Sequence, residues 1–130
     1  MITEALRGFG AHLINQDGER FLFRYHPEGE LATRDVISES IFKEMQENNL
    51  ENVWLNCRHL DRKTLKEQFP NIIQQCRTYG IDVFIEPIPI APAAHYQCGG
   101  IKVNHEGKTS IKSLYANGEC ASTGLHGANR

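Results

Sequence analysis

Histidine and arginine side chains stand beside small residues at two places where no hydrophobic core requires them. His95 follows two alanines and precedes the pair Gly99-Gly100, so a ligand or a backbone segment could approach it closely. His126 and Arg130 flank small residues, and a planar guanidinium can bind a carboxylate or phosphate through two hydrogen bonds. His95 is therefore a candidate for binding a ligand at the mouth of a site, and the second segment is a candidate for binding a carboxylate or phosphate. The alternatives are a histidine satisfied within a turn and a solvated terminal tail.

Three further charged residues on predicted helices are candidates for a functional role. Arg34 lies at the predicted start of a long helix, where a cation opposes the helix dipole, and such exceptions are often functional. The alternative for Arg34 is an exposed side chain with its charge in water. Glu4 and Arg7 are three residues apart on a predicted short helix and could pair. The alternative for them is a surface ion pair that contributes little stability.

Familiar metal and nucleotide motifs are absent from the sequence. Its scattered cysteines and histidines do not match the paired spacing of zinc ligands, so we expect no metal. There is no GxGxxG, no P-loop and no GxSxG nucleophile motif. The cysteines are too sparse for a disulfide-stapled domain and are expected to be reduced thiols: Cys57, Cys76, Cys98 and Cys120.

Composition excludes two classes of partner. The 130 residues carry a formal net charge of -2, so no basic field is available to hold nucleic acid. The longest apolar stretch, residues 88–94, is too short to span a bilayer, and the first residues do not form a signal peptide. We expect one cytoplasmic folding unit with no nucleic-acid or membrane partner.

Helical periodicity predicts about three main helices, with a further short helix over residues 2–7. Their boundaries are marked by capping and stop residues: Thr33, Asn48, Asp61, Pro70 and Gly80. Each of these residue types satisfies or removes a backbone group that a helix end leaves without a partner.

Strand signals surround these helices. The Asp17-Gly18 turn between apolar residues 11–14 and 21–23 predicts a β-hairpin. Prolines at 87, 89 and 92 exclude a central strand through that stretch. Further strands are predicted over residues 52–56, 81–85, 101–103 and 113–116. This order predicts an α+β fold with a small, largely antiparallel sheet.

Four ordered strings carry a resemblance to a known family. They are LATRDV at 31–36, APAAHYQCGG at 91–100, LYANGE at 114–119 and TGLHGANR at 123–130. Together they resemble the succinate dehydrogenase/fumarate reductase flavoprotein superfamily, and within it they look most like the family of L-aspartate oxidases. The similarity runs along essentially the whole chain.

The resemblance implies an FAD enzyme that oxidises L-aspartate to iminoaspartate and is reoxidised by oxygen or fumarate. That reaction is the first step of de novo NAD biosynthesis, and the resemblance implies functional coupling to quinolinate synthase. Two alternatives stay open: a succinate dehydrogenase or fumarate reductase flavoprotein subunit, and a non-catalytic binding module with the same cap fold.

Catalytic roles also follow from the resemblance. Arg34 matches the active-site arginine that acts as acid and base. Glu4 and Arg7 match a proton relay that leads to it. An arginine in this role is unusual because a guanidinium normally stays protonated.

Binding roles follow in the same way. Thr3, His95 and Arg130 match residues that bind the carboxylates of the substrate, and Glu119 matches a residue that bonds the FAD ribose. Burying a dicarboxylate requires cations and directed donors, and arginine and histidine supply them.

The family's domain plan gives two expected parts. Residues 1–96 match the capping domain, truncated at its N-terminus, and residues 97–130 match a return segment into the FAD-binding domain, truncated at its C-terminus. The chain therefore resembles an excised piece, and we expect these residues alone neither to retain FAD nor to turn over.

Overall fold

The computed structural model describes residues 5–95 and 97–127. The chain divides into two compact units, Met1–Pro92 and Ala93–Arg130. The expected α+β class is confirmed, because helices stand beside a small antiparallel sheet. Assignment of residues 1–96 as a capping domain remains a prediction.

The first unit contains a three-stranded antiparallel sheet of β1 (His12–Ile14), β2 (Val53–Asn56) and β3 (Ile88–Ile90), in the order β1-β2-β3. Central β2 confirms the strand predicted over 52–56. Pro89 lies within β3, an edge strand, where a missing N–H can face away from the sheet. The exclusion of a central strand through the prolines is therefore confirmed.

The helices of the described residues all lie in the first unit: α1 (Ala5–Gly8), α2 (Leu22–Tyr25), α3 (Arg34–Glu47), α4 (Arg62–Gln68) and α5 (Pro70–Thr78). The three longest, α3 to α5, confirm the predicted main helices. Asp61 caps α4 by accepting a hydrogen bond from the Thr64 N–H at 2.8 Å. Pro70 begins α5 where its missing N–H is harmless. Local signals therefore located these boundaries.

The predicted hairpin is wrong in its second half. The turn forms, with the Gly18 N–H bonded to the Asn15 carbonyl at 3.1 Å, but residues 22–25 are helical and β1 pairs with β2. Phe21 and Leu22 are adjacent and both fully buried. A strand places neighbouring side chains on opposite faces, whereas one turn of helix can bury both in the same core.

The strand predicted over residues 81–85 is also wrong. The Ile85 and Glu86 N–H groups both bond the Asp82 carbonyl at 2.9 Å, which makes this stretch a turn. Val83 and Phe84 are again adjacent and buried. Two neighbouring side chains therefore enter one core, which an alternating strand does not allow, and the strand forms later as β3.

The second unit contains little regular structure. β4 (Ile101–Lys102) confirms the strand predicted around 101–103 and pairs with β5 (Ala121–Ser122) in parallel. The strand predicted over 113–116 is reduced to a single bridge between Lys108 and Tyr115. A 3₁₀ turn, Gly118–Cys120, leads into β5.

A continuous apolar core fills the first unit. Its fully buried members include Leu6, Leu13, Phe21, Leu22, Val53, Leu55 and Leu65. These residues come from the sheet and from the helices and turns around it, so the core fixes the position of the elements that carry candidate residues there. Within the described ranges, no helix is both long and apolar enough to cross a membrane.

Candidate functional site

Arg34 is the first residue of α3 and is half-buried. Thr33 occupies the N-cap position, as predicted, but its hydroxyl donates to the Asp35 carboxylate at 2.5 Å instead of capping the backbone. The helix therefore begins with a cation next to an aspartate. Asp35 supplies the negative charge that the helix N-terminus favours, while Arg34 stands against the dipole.

Arg7 lies on α1 and points towards the segment that precedes Arg34. Its Nη1 donates to the backbone carbonyl of Glu30 at 2.8 Å. Glu30 belongs to a 3₁₀ turn, Gly29–Leu31, that ends shortly before α3 begins. The structure thus connects the two predicted arginines through one turn. Thr3, Glu4 and Arg130 lie outside the described residues.

Glu30 is a buried carboxylate that sequence reasoning missed. Its Oε1 accepts hydrogen bonds from the Leu13 N–H at 3.1 Å and from Arg20 Nε at 3.2 Å, and its Oε2 accepts from Arg20 Nη2 at 2.7 Å. Burial alone raises the pKa of Glu30, but the bonds from Arg20 and from backbone N–H groups outweigh it and lower that pKa. Glu30 is therefore ionised at neutral pH. A glutamate within the small and apolar run Gly29 to Ala32 is the one sequence signal that could have indicated it.

The turn that carries Glu30 is also confined from its other side. Gly29 has φ +53°, and a Cβ at this position would lie 2.6 Å from the Phe23 ring. The guanidinium of Arg20 lies over the same ring, 4.9 Å from its centre. Phe23 and Arg20 therefore pack against the turn, and the left-handed φ together with the nearby ring favours glycine at its first residue.

A second buried carboxylate, Glu44, lies further along α3. It accepts hydrogen bonds from Asn15 Nδ2 at 3.1 Å, Arg24 Nη2 at 2.8 Å and the Tyr25 hydroxyl at 3.0 Å. Burial and the bond to Glu44 raise the pKa of Tyr25, which therefore stays protonated. None of these contacts includes the Gly29–Leu31 turn. Glu44 connects α3 to α2, and it lies ten residues after Arg34 and further still from Arg7 in the sequence.

The second unit carries His95 and Glu119, and both side chains are exposed. Gly100 has φ +123°, and a Cβ there would overlap the carbonyl oxygen of Cys120. The backbone that follows His95 therefore lies directly against the turn that carries Glu119. This close approach requires glycine, and it brings the two predicted binding segments of this unit together.

An open cavity of about 600 Å³ lies wholly within the second unit. Polar side chains from three loops line it, among them Asn104, Asn117, Thr123 and His126. Gly118 also lines it, next to Glu119, with φ +64° and no neighbouring atom where a Cβ would stand. The cavity wall therefore offers hydrogen-bonding groups and exposed backbone for a polar ligand.

Metal and thiolate chemistry receive no support from the residues that the structure describes. Over residues 5–95 and 97–127, no three His, Cys, Asp or Glu side chains group as metal ligands. All four cysteines are free. Burial, together with the nearby Cys76, raises the pKa of Cys57 to about 11, so this thiol stays protonated at neutral pH.

Comparison with known proteins finds one matching domain family and several similar enzymes. The FAD-binding domain family matches residues 1–130. An L-aspartate oxidase of Nostoc sp. is 53% identical over 134 residues, which cover 100% of this chain and 23% of that protein. L-aspartate oxidases of Synechocystis sp. and Clostridium perfringens are 49% and 48% identical, cover 100% of this chain, and are themselves covered to 24% and 28%. The chain thus spans about a quarter of the length of these curated relatives.

Solved structures agree with the fold. An E. coli quinol fumarate reductase matches with a TM-score of 0.88 and 40% identity, covering 100% of this chain and 26% of that one. A quinol-fumarate reductase with menaquinol molecules matches with a TM-score of 0.87 and 38% identity, covering 99% of this chain and 26% of that one. The predicted resemblance to this flavoprotein superfamily is confirmed.

Proposed function

Because this chain belongs to the FAD-binding domain family, we propose that it is part of an FAD-dependent L-aspartate oxidase. The reaction removes a hydride from Cα of L-aspartate and a proton from its amino nitrogen, which leaves iminoaspartate. Oxygen or fumarate then takes up the two electrons. We further propose that this oxidation begins de novo NAD biosynthesis in the cytoplasm, with coupling to quinolinate synthase.

One observation carries the proposal: 46–53% identity over the entire chain to L-aspartate oxidases of bacteria and plants. The solved fumarate reductases are also alike throughout, but at 38–40% identity. The higher identity favours aspartate as the substrate. The shared fold favours a dicarboxylate in either case.

The residues of the second unit fit FAD. Glu119 presents an exposed carboxylate, the chemistry that bonds ribose hydroxyls, on a turn next to the polar cavity. Gly118 leaves backbone open beside it. In the proposed enzyme Glu119 holds the ribose. When bound, FAD supplies the hydride acceptor, and the chain supplies position and charge.

Arg34, His95 and Arg130 are proposed to neutralise the two carboxylates of the substrate, with Thr3 donating a further hydrogen bond. A dianion that leaves water needs charge-assisted bonds to offset its lost hydration. Arg34 begins a helix that the core holds rigidly, which favours a fixed geometry towards the substrate.

Proton transfer is proposed to run through Arg34, with Glu4 and Arg7 as the relay. In fumarate reduction a guanidinium gives up a proton only transiently, so a neighbouring carboxylate must return one, and in aspartate oxidation the same relay carries the proton the opposite way. The bond from Arg7 to the Glu30 carbonyl supports this role, because it holds the Arg7 guanidinium at the turn that leads to Arg34.

The division of labour follows the family plan. We propose that residues 1–96 close over the substrate as the capping domain and that residues 97–130 return into the FAD-binding domain. These residues alone are then expected neither to retain FAD nor to turn over. Flavin absorbance in the purified 130-residue chain, together with peroxide formed from aspartate, would contradict that expectation.

The test uses the full-length protein that contains this chain. L-aspartate should reduce its bound flavin under anaerobic conditions and yield oxaloacetate and ammonia after the imine hydrolyses. Arg34→Gln is expected to lower kcat by about 10²- to 10⁴-fold, since it removes the group through which the substrate proton is proposed to pass and a substrate cation. Arg77→Gln, which removes an exposed guanidinium from α5, is the matched control and should retain full activity.

The runner-up is a fumarate reductase or succinate dehydrogenase flavoprotein, which the structural likenesses favour. Succinate oxidation or fumarate reduction without aspartate oxidation would select it. Turnover that survives Arg34→Leu would instead favour a non-catalytic role for this cap. Each outcome removes one of the candidates.

A further inference from the structure

The 3₁₀ turn Gly29–Leu31 lies in the connection between α2 and α3, and contacts from several parts of the chain hold it in place. The Glu30 carboxylate accepts bonds from the Leu13 backbone on β1 and from Arg20. The Phe23 ring packs where a Cβ of Gly29 would lie. Side chains and backbone from three parts of the chain therefore fix this one turn.

The fixed turn constrains both Arg7 and Arg34. Its Glu30 carbonyl accepts the Nη1 donor of Arg7 at 2.8 Å. Its C-terminal side leads through Ala32, which is buried, and Thr33 directly into Arg34. The same turn thus sets the orientation of one arginine by a hydrogen bond and the starting point of the other through the chain.

We propose that Glu30 is a positioning residue for Arg7 and Arg34: its buried carboxylate fixes the turn that orients both arginines. This inference rests on the proposed function, in which Arg7 and Arg34 move the proton. Glu30 contacts neither substrate nor cofactor in this role. It acts through the backbone that it immobilises.

The chemistry of the contact explains why a carboxylate is needed. All three of its partners are donors: the Leu13 N–H, Arg20 Nε and Arg20 Nη2. The amide of glutamine offers one acceptor oxygen and places an NH₂ group against one of these donors. Glu30→Gln therefore keeps the side-chain volume but loses a charge-assisted bond and frees the turn.

Glu44 provides a matched control in the same unit. It is also a buried carboxylate that binds an arginine, in this case Arg24, but its partners lie on α2 and in the Asn15 turn. Glu44→Gln should destabilise the protein to a similar extent as Glu30→Gln. It should not disturb the path to Arg7 and Arg34.

The experiment compares both variants in the full-length protein, with rates normalised to bound flavin. Glu30→Gln is expected to lower kcat about 10- to 100-fold, the range that a displacement of catalytic groups produces, and to raise KM for L-aspartate, because Arg34 is also proposed to bind a substrate carboxylate. The solvent deuterium isotope effect on kcat should rise, because proton transfer becomes rate-limiting. Glu44→Gln should lower Tm while kcat per flavin and the isotope effect stay at wild-type values. Equal kinetic changes in both variants, or an unchanged kcat in Glu30→Gln, would overturn the proposal.

A second measurement separates this inference from the proposed function. If the wild-type protein oxidises neither aspartate nor succinate, the proposed function fails, and coupling in thermal unfolding then decides about Glu30. The Tm shifts of Arg7→Gln and Glu30→Gln should be non-additive, since Arg7 binds the carbonyl that Glu30 fixes. The shifts of Arg7→Gln and Glu44→Gln should add. Additivity in the first pair would show that Glu30 does not position Arg7.

Discussion

The two units of the chain are held together by different means. The first unit buries a continuous apolar core from its sheet and helices. Among the described residues of the second unit, the buried apolar side chains are Ala116 and Ala121 alone. Several large apolar side chains of that unit are exposed instead: Ile101, Ile111, Leu114, Tyr115 and Leu125. Side-chain packing therefore organises the first unit far more than the second.

Backbone contacts take over in the second unit. Gly100 lies against the Cys120 carbonyl, and the Ala116 N–H bonds the Gly107 carbonyl at 2.9 Å. The Asn104 side chain accepts from the Glu106 and Lys108 N–H groups at 3.0 Å. Such a unit depends on turn residues and glycine, and its positions tolerate changes of apolar side-chain size that a packed core does not.

The largest expected effect comes from matched leucine truncations in the two units. Leu55 on central β2 is 2% exposed, whereas Leu125 is 78% exposed. Leu55→Ala should lower the free energy of unfolding by about 2–5 kcal/mol, because it removes buried contacts and leaves a cavity. Leu125→Ala should change it by less than about 0.5 kcal/mol. Urea unfolding of the two variants measures both values, and similar losses would break the contrast.

A glycine substitution should destabilise the second unit, where the leucine truncation does not, because it disrupts a backbone contact of that unit. Gly100→Ala drives a Cβ into the Cys120 carbonyl oxygen and requires φ +123° of an alanine. Strain and overpacking together should cost about 2–4 kcal/mol and separate β4 from β5. Amide hydrogen exchange at Lys102 and Ser122 should accelerate accordingly.

Gly124→Ala is the control for that experiment. Gly124 has φ +79° and no atom within 4 Å of the place that a new methyl group would occupy, so only the backbone strain applies. Its exchange should change less than that of Gly100→Ala. Equal acceleration in both variants would mean that the close approach at Cys120 does not hold the strands.

Sequence signals succeeded where they were local. Caps and periodicity located α3, α4 and α5, because Asp61 and Pro70 act on backbone groups within one helical turn and the apolar spacing of α3 lies within that helix. The hairpin failed because the partner of β1 is β2, a strand beyond two helices. Its register depends on the finished core, which no short window contains.

The candidate site shows the same limit. Arg34 stands at the start of α3, as its spacing predicted. The sequence could indicate Glu30 but not its partners, because Leu13, Arg20 and Arg7 meet it only after the chain has folded. In the second unit, Gly100 was predicted to permit a close approach, and the Cys120 carbonyl is the group that approaches it.

Ion pairs test the difference between a buried carboxylate in the first unit and an exposed one in the second, with a smaller expected effect. Arg24 binds the fully buried Glu44 in the first unit, whereas Lys108 pairs with the exposed Glu106 in the second. Arg24→Ala should cost about 1.5–3 kcal/mol, since the buried Glu44 carboxylate loses its two hydrogen bonds from Arg24 Nη2. Lys108→Ala should cost at most about 1 kcal/mol. Thermal unfolding in low and high salt would contradict this ranking if Lys108→Ala proved the more damaging change.

The smallest expected effect is a pH dependence of the stability of the first unit, caused by protonation of His12. Burial, and to a lesser extent the positive charges of Arg20 and His59, lower the pKa of His12 below its usual 6.5, while Glu30 opposes the shift. Between the lowered pKa and 6.5 the unfolded chain binds more protons than the folded one, so stability falls as the pH falls through this window.

His12→Gln should flatten the stability profile in that window and leave the profile above it unchanged. The lowered pKa of Glu30 affects stability in a different pH range. The stabilisation that Glu30 contributes is present above its usual pKa of 4.5 and is lost as the pH falls below that value. Urea midpoints measured across the two windows therefore separate the groups. Parallel profiles of wild type and His12→Gln just below pH 6.5 would show that burial of this imidazole in the first unit carries no linkage to folding.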